Sequence, residues 1–250
     1  MSVALLLALI AGAVVGLALG ALGGGGSVLA VPALIYLLGF TPAAATTASL
    51  LIVTATSATA LYAHARASHV RWRAGAAFAA AGILPAALAG AAAAHLPQAL
   101  LTAAFATVAA LAATRMLRPA ARTETTGRRA HAGKAAGAGA GLGALTGLLG
   151  VGGGFLAVPA LVTVLAFEMQ VAVGTSLLVI TVNSLASLAT RSGAAVTLDW
   201  AVVGPFTGAA ILGAWDGKRL AAKVSGRRLQ QVFAILLLAV AAFMLADALT

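Results

Sequence analysis

"GLALGALGGGGSVLAVPALIYLL", residues 16–38, interrupts a long apolar run with four consecutive glycines and a proline. Nearly the same sequence recurs as "GALTGLLGVGGGFLAVPALVTVL" at residues 143–165. Glycine and proline both interrupt helices, because glycine is conformationally free and proline lacks an N–H donor. The two stretches therefore predict a helix break that occurs twice in the chain.

The composition excludes a water-soluble globule. Of the 250 residues, 62% are hydrophobic and 8% are charged, and the mean hydropathy is +1.07. Apolar runs of roughly 20 residues, the length that a helix needs to cross a bilayer, recur along the whole sequence. The runs are continuous and rich in alanine and leucine, which favours helices. We therefore expect an all-α polytopic membrane protein.

The sequence aligns with itself, which indicates a tandem duplication of nearly the whole chain. The offset is 127 positions, as from Gly12 to Gly139. One residue inserted in the second copy then raises it to 128, as from Trp72 to Trp200. The superposed pairs include Gly12 and Gly139, Gly16 and Gly143, Gly20 and Gly147, Pro32 and Pro159, Thr54 and Thr181, Ser57 and Ser184, and Trp72 and Trp200.

Each copy holds five apolar segments. They span residues 3–22, 27–39, 42–63, 74–94 and 97–117 in the first copy, and 132–149, 154–167, 170–190, 198–215 and 227–248 in the second. The second segment of each copy reaches only about 20 Å as a helix, against a hydrocarbon core of about 30 Å. We therefore expect short second segments that are broken or re-entrant.

The basic residues predict that the two copies are inverted. If the basic loops face the cytoplasm, every Lys and Arg except Arg191 lies inside, as the positive-inside rule requires. This arrangement needs an odd number of crossings per copy and places both termini outside. The expected units are a first repeat at residues 1–117, a basic cytoplasmic linker at 118–131 and a second repeat at 132–250. The net charge is +10, but the basic residues lie in short loops between apolar runs, as orientation in a membrane requires. We therefore expect no nucleic-acid partner.

The glycine clusters and the third segments supply the candidate site. A flexible stretch before a helix start presents backbone N–H groups at a positive dipole end, where an anion can bind, although a tight turn is the alternative. The third segments, at residues 46–59 and 174–187, carry hydroxyls and one amide, for which hydrogen bonding between helices is the alternative. The candidate substrate-binding residues are Gly24, Gly25, Gly26, Ser49, Gly152, Gly153, Gly154, Thr175, Ser176 and Asn183.

The sequence gives little support to cation transport, enzymatic catalysis, or metal or cofactor binding. No carboxylate lies in the middle of an apolar run, which disfavours a cation pump and favours an anion as substrate. The chain has no cysteine, no nucleotide-binding fingerprint and no cluster of metal ligands, so we expect no catalytic residue, metal or cofactor. An intramembrane hydrolase would pair Ser27 with a histidine, but the four histidines fall at segment ends or in loops, where we expect them to be solvated.

The motif "GxGGGxxxVPxL" after a glycine-rich helix, doubled and followed by "GTSL" in the second copy, resembles the sulfite exporter TauE/SafE-like transporters, also called the toluene sulfonate uptake permease family. The first copy departs from the pattern, since Thr47 replaces Gly174 and Ser27 replaces Gly154. The resemblance implies a multi-pass protein of the bacterial inner membrane that moves sulfite, organosulfonates or related small anions, and it alone favours export.

Together these features predict a secondary transporter that alternates its access around the paired glycine breaks. Its partners are a small inorganic or organic anion and the lipid bilayer, and association into a homo-oligomer stays open. Two alternatives remain at this point: a non-transporting membrane scaffold or partner subunit whose glycines serve packing alone, and an intramembrane hydrolase.

Overall fold

The computed structural model describes residues 3–93, 98–117, 136–144, 156–191 and 198–249, and these ranges contain helices and no strand. The helices are α1 (Val3–Leu22), α2 (Gly25–Pro32), α3 (Pro42–Arg66), α4 (Trp72–Ala93), α5 (Gln98–Leu117), α6 (136–144), α7 (Ala157–Thr163), α8 (Met169–Arg191), α9 (Trp200–Ala222) and α10 (Gly226–Leu249). The all-α prediction is confirmed, and the helices follow the predicted segments. The predicted linker at 118–131 lies outside the described residues.

Several helices are suited to a bilayer. Within the described residues, four spans are long and apolar enough to cross a membrane: Val3–Leu22, Ala44–Arg66, Met169–Ala189 and Gly226–Phe243. They belong to α1, α3, α8 and α10. The helices therefore support the prediction of a polytopic membrane protein.

The second segment of each copy is short, as predicted. Helix α2 has 8 residues, ends at Pro32 and continues as a π-helical turn at Ala33–Leu37. Helix α7 has 7 residues and contains Pro159. Pro32 has no N–H to donate, and it lies where α2 changes to the π-helical turn. Pro159 lies in the first turn of α7, where a backbone N–H has no partner within the helix, so proline is tolerated there.

The two second segments also end with the same hydrogen bond. The N–H of Phe40 donates to the carbonyl of Leu34, and the N–H of Phe167 donates to the carbonyl of Leu161, both at 3.0 Å. The residue before each phenylalanine is left-handed, with φ of 70° at Gly39 and 52° at Ala166. This is the geometry of a Schellman-type helix end. Positions that the sequence alignment pairs therefore have the same local structure.

The Gly-x-x-x-Gly ladders bring helices into backbone contact, as their spacing predicts. The contacts join Gly12 to Phe206, Gly16 to Ala210, Gly20 to Ala214, Gly139 to Phe78 and Gly143 to Gly82. The residue numbers rise together within each helix pair, so α1 runs parallel to α9 and α6 runs parallel to α4. The first helix of each copy thus packs against the fourth helix of the other copy.

Helices α3 and α8 cross in opposite directions. The hydroxyls of Ser57 and Thr181 lie 2.9 Å apart, while further along α3 a Cβ added to Gly174 would lie 3.3 Å from the Cβ of His64. Equivalent helices of two parallel copies would instead run the same way around an axis along the membrane normal. The inverted-repeat interpretation stays a prediction, and these helix directions support it.

One end of the molecule collects basic residues. The Lys218 ammonium of α9 donates to the carbonyl of Ala63 at 2.6 Å, and the Gln230 amide of α10 donates to the carbonyl of Met116. These bonds place the C-terminal ends of α3, α5 and α9 beside the start of α10. By the positive-inside rule, this end is predicted to face the cytoplasm.

Candidate functional site

The first glycine break lies against the second copy. Gly23 is left-handed, with φ of 68°. A Cβ added there would lie 2.5 Å from the Ser176 hydroxyl oxygen of α8 and 3.2 Å from Val158 of α7. A side chain would therefore be strained at Gly23 and would collide with α8. The structure brings this break next to Ser176, one of the predicted site residues.

The backbone amides of this break are partly engaged. The N–H of Gly23 donates to the carbonyl of Leu19 at 2.8 Å, and the N–H of Gly26 donates to the carbonyl of Gly23 at 3.4 Å, which is long for such a bond. Gly24 is the N-cap of α2, with no side-chain capping bond, and α2 begins at Gly25. Anion binding by these amides stays a prediction. The predicted site residues of the second break, Gly152, Gly153 and Gly154, lie outside the described residues.

The predicted hydroxyls are buried and hydrogen-bonded to backbone. Ser49 donates to the carbonyl of Thr46, and Ser176 donates to the carbonyl of Val173, both at 2.8 Å. Thr175 accepts a hydrogen bond from the backbone N–H of Arg71 at 3.1 Å, which holds the start of α4 against α8. Ser49 and Ser176 are equivalent in the two copies and make equivalent bonds.

Two buried side-chain oxygens near the crossing of α3 and α8 have no hydrogen-bond partner within the described residues. One is the Oδ1 of Asn183, a predicted site residue, and the other is the Oγ1 of Thr56. Thr56 plus 127 is 183, so the two residues occupy equivalent positions of the two copies. Thr56 was not among the predicted site residues. The repeat alignment holds the signal that could have identified it, since it pairs Thr56 with the predicted Asn183.

The surroundings of this crossing are uncharged along the chain. Neither residues 42–63 of α3 nor residues 169–190 of α8 include an Asp, Glu, Lys or Arg. Within the described ranges, no group of three or more His, Cys, Asp or Glu could hold a metal ion. The polar side chains of these two stretches are hydroxyls and the amides of Gln170 and Asn183.

His64 corrects the expectation that the histidines are solvated. Its side chain is only 3% exposed, and its Nε2 lies 3.2 Å from the carbonyl oxygen of Gly20. The expectation was wrong because α3 continues to Arg66, so His64 still lies on a packed part of the helix. The side chain of Ser27, which the hydrolase alternative would use, lies outside the described residues.

A groove of about 370 Å³ lies elsewhere, between α1, the second segment and α10. Its lining is apolar and includes Ile10, Val14, Tyr36 and Phe243. Such a lining offers an anion almost no hydrogen-bond donor, so the groove does not resemble a site for a charged solute.

Comparisons with known proteins agree with the architecture. The family model described as "Sulfite exporter TauE/SafE" matches residues 8–244. A "Probable membrane transporter protein" of Xylella fastidiosa (strain 9a5c) is 35% identical over 243 residues, which cover 94% of this chain and 92% of the relative. A protein of the same name from Xylella fastidiosa (strain Temecula1) is 34% identical over 245 residues, with the same coverage of 94% and 92%. No solved structure matches significantly.

Proposed function

Because the chain belongs to the sulfite exporter TauE/SafE family of membrane transporters, we propose that it is a secondary transporter that exports small anions such as sulfite or organosulfonates. Its helices make it a multi-pass membrane protein, which we place in the bacterial inner membrane. The proposal needs no cofactor, since the movement of an anion down or against a gradient involves no covalent chemistry.

The observation that carries the proposal is the uncharged polar crossing of α3 and α8. Hydroxyl and amide groups donate hydrogen bonds to an anion without the strong attraction that a buried Lys or Arg would add. The nearest carboxylates along α3 and α8 lie outside their uncharged stretches, so no negative charge repels the solute there. The net charge of +10 further favours the approach of anions over cations.

Antiparallel helices at this crossing also suit alternating access. Each copy would close the path from one side when it rocks against the other. The glycine contacts of α1 with α9 leave no room for a Cβ, so we expect this pair to move as one unit. The glycine break at Gly23 lies between this unit and α8, where a change in backbone angle is easiest.

In this mechanism the predicted site residues together surround the anion. The amides at Gly24, Gly25 and Gly26, with those at Gly152, Gly153 and Gly154, bind its oxygens from the two breaks. The side chains of Ser49, Thr175, Ser176 and Asn183 complete the shell. Ser49 and Ser176 would exchange their bonds to backbone carbonyls for bonds to the anion.

The test is a flux assay in proteoliposomes that contain the purified full-length protein. Labelled sulfite, a small sulfonate and sulfate are supplied on one side, and protein-free liposomes serve as the background. We expect protein-dependent flux of at least one of these anions, and we expect Gly153→Val to abolish it while the protein still inserts. The absence of flux for every small anion would refute the proposal.

A further inference from the structure

We propose that His64 is the proton-binding residue of the anion site, so that each bound anion is accompanied by a proton. The inference rests on the proposed function and deepens it, because it names the ion that binds together with the anion. The proton is taken from the solvent, stays on the imidazole while the anion is bound, and returns to the solvent when the anion leaves.

His64 lies where the end of α1 meets the start of α8. Its Nε2 lies 3.2 Å from the carbonyl oxygen of Gly20, and helical carbonyls point towards the residues that follow them. The imidazole therefore lies over the C-terminal end of α1, where the first glycine break begins. At the other end of the side chain, a Cβ added to Gly174 would lie 3.3 Å from the Cβ of His64.

The candidate site adjoins both of these contacts. Gly23 follows Gly20 by three residues, and a Cβ added to Gly23 would lie 2.5 Å from the hydroxyl oxygen of Ser176. On α8, Gly174 is two residues before Ser176. His64 thus contacts both helices within three residues of the point where the break meets α8.

One ring nitrogen of His64 has no partner. A carbonyl oxygen only accepts, so Nε2 carries the proton that is donated to Gly20, and Nδ1 of the neutral ring is an acceptor. The side chain is only 3% exposed, and its Nδ1 is buried without a partner within the described residues. Buried polar atoms nearly always have a partner, so this nitrogen points to a ligand. A sulfonate or sulfate brings only acceptors, so Nδ1 can bind it only after taking up a proton.

The ionisable neighbours of His64 are basic. Lys218 of α9 donates to the carbonyl of Ala63, the preceding residue, at 2.6 Å. The ring centroid of His69, in the turn after α3, lies 6.1 Å from that of His64. Helix α1 and residues 169–190 of α8 contain no ionisable side chain. The arginines near this turn are exposed: Arg66, Arg71 and Arg73.

The carboxylates of the neighbouring elements are turned to solvent. Glu168, just before α8, is exposed, and Asp216 of α9 is exposed and pairs with Arg219. Among the described residues, a protonated His64 therefore has no carboxylate as its counter-ion. A buried charge without a counter-ion is costly, whereas an anion in the adjoining site supplies one. The proton and the anion thus each favour the binding of the other.

The second copy carries a basic residue at the equivalent position. The offset of 127 residues pairs His64 with Arg191, and the two lie near the C-terminal ends of α3 and α8. Because these helices are antiparallel, the two residues belong to opposite ends of the crossing. Only histidine can give up its charge near neutral pH. A charge that can be given up lets the anion leave again, which a transporter requires.

The experiment measures anion binding to the full-length protein in detergent by titration calorimetry. The pH is varied between about 5 and about 8, the range in which a histidine titrates. The probes are sodium methanesulfonate and sodium sulfate, because neither anion changes its own charge in this range, whereas sulfite does. Sodium chloride holds the ionic strength constant. Each titration is repeated in two buffers of different ionisation enthalpy, which counts the protons taken up per anion bound.

Two variants remove the titrating group in different ways. His64→Gln places an amide near the position of Nε2, where it can still donate to Gly20, and His64→Asn places an amide near the position of Nδ1. The matched control is His69→Gln, which removes the neighbouring imidazole. The thermal unfolding midpoint without anion shows whether each variant is folded.

We expect the wild-type protein to bind the anion more tightly as the pH falls, because the anion-bound state holds a proton that the free state lacks. The apparent Kd should fall by up to about tenfold per pH unit, the limit for one linked proton. In both His64 variants the affinity should not change with pH, and no proton should be taken up. His69→Gln should behave as the wild-type protein does.

Three results would overturn the proposal. The first is a wild-type affinity that stays constant or weakens as the pH falls, a result that depends on no variant. The second is proton uptake that persists in a folded His64 variant, and the third is proton uptake that disappears in His69→Gln.

The failure of the proposal and the failure of the proposed function are distinguishable. Anion flux in proteoliposomes together with binding that does not depend on pH would remove His64 from the site and leave the proposed function standing. A protein that binds neither probe would also overturn the proposal, and the flux assay then decides whether the proposed function fails with it.

Discussion

The hydroxyl oxygens of Ser57 and Thr181 lie 2.9 Å apart and join α3 to α8 where the two copies cross. Each hydroxyl also reaches a carbonyl of its own helix, Thr181 that of Leu177 at 2.7 Å and Ser57 that of Thr54 at 3.3 Å, so either hydroxyl can donate between the helices. The repeat-equivalent residues are Ser184 and Thr54. In the proposed mechanism, α3 and α8 stay in contact at this crossing and also move relative to each other.

Loss of this hydrogen bond should weaken the crossing modestly. In a double-mutant cycle, Ser57→Ala and Thr181→Val should show a coupling free energy of about 0.6 kcal/mol, the average for hydrogen bonds between membrane helices. The free energy of unfolding in detergent measures it. Additive effects of the two variants would contradict the assigned hydrogen bond.

Gly16 should tolerate no side chain. A Cβ at this position would overlap the backbone of Ala210, so Gly16→Ala must push α1 away from α9 and should reduce the free energy of unfolding by about 1–3 kcal/mol. The matched control is Gly208→Ala on α9, where an added Cβ meets nothing within 4 Å. Equal thermal stability of the two variants would contradict the described packing.

Gly23 should be more sensitive than Gly39, although both have positive φ. Gly39→Ala adds only backbone strain of about 1–2 kcal/mol, because nothing lies within 4 Å of its added Cβ. Gly23→Ala adds the collision with Ser176 at 2.5 Å and should destabilise the protein further. Thermal unfolding measures the difference, which should shrink when Ser176 is also replaced by alanine. An unchanged difference in that background would show that the collision is not with Ser176.

Much of this fold could be predicted from residue types that tolerate only a few backbone conformations or environments. The apolar runs and the prolines located the helices and their breaks, since few structures satisfy a backbone in lipid. The glycine spacing indicated close packing, but it could not name α9 as the partner of α1, because any helix with a small-residue face can fill that role. The π-helical turn at Ala33–Leu37 also has no separate sequence signal beyond Pro32.

Topology offers another test, and the absence of native cysteine makes it simple. Single cysteines at Ser68 and Lys223 lie at the basic end, and one at Thr41 lies at the other end of α3. A membrane-impermeant maleimide added to intact cells should label Thr41→Cys alone, and permeabilised cells should expose all three. Labelling of Ser68→Cys and Lys223→Cys from opposite sides would reject the inverted arrangement.

The candidate site was harder to predict than the fold. Residue type pointed to Ser49, Thr175 and Ser176, whose hydroxyls or oxygens the structure shows engaged with backbone groups. Thr56 looked like any helical threonine in the sequence, because a single hydroxyl gives no sign of whether its own helix will satisfy it. The structure shows that the Thr56 hydroxyl has no hydrogen-bond partner within the described residues.

Anion counterflow tests the central claim most directly, because it needs no knowledge of the coupling gradient. Proteoliposomes are loaded with unlabelled sulfite and diluted into labelled sulfite, and the label that accumulates inside is followed over time. We predict transient accumulation with the wild-type protein and with Thr59→Val, whose hydroxyl bonds to its own helix, and strongly reduced accumulation with Asn183→Leu, which removes a predicted site residue. Accumulation that is absent with the wild-type protein for sulfite and for sulfonates alike would contradict the account.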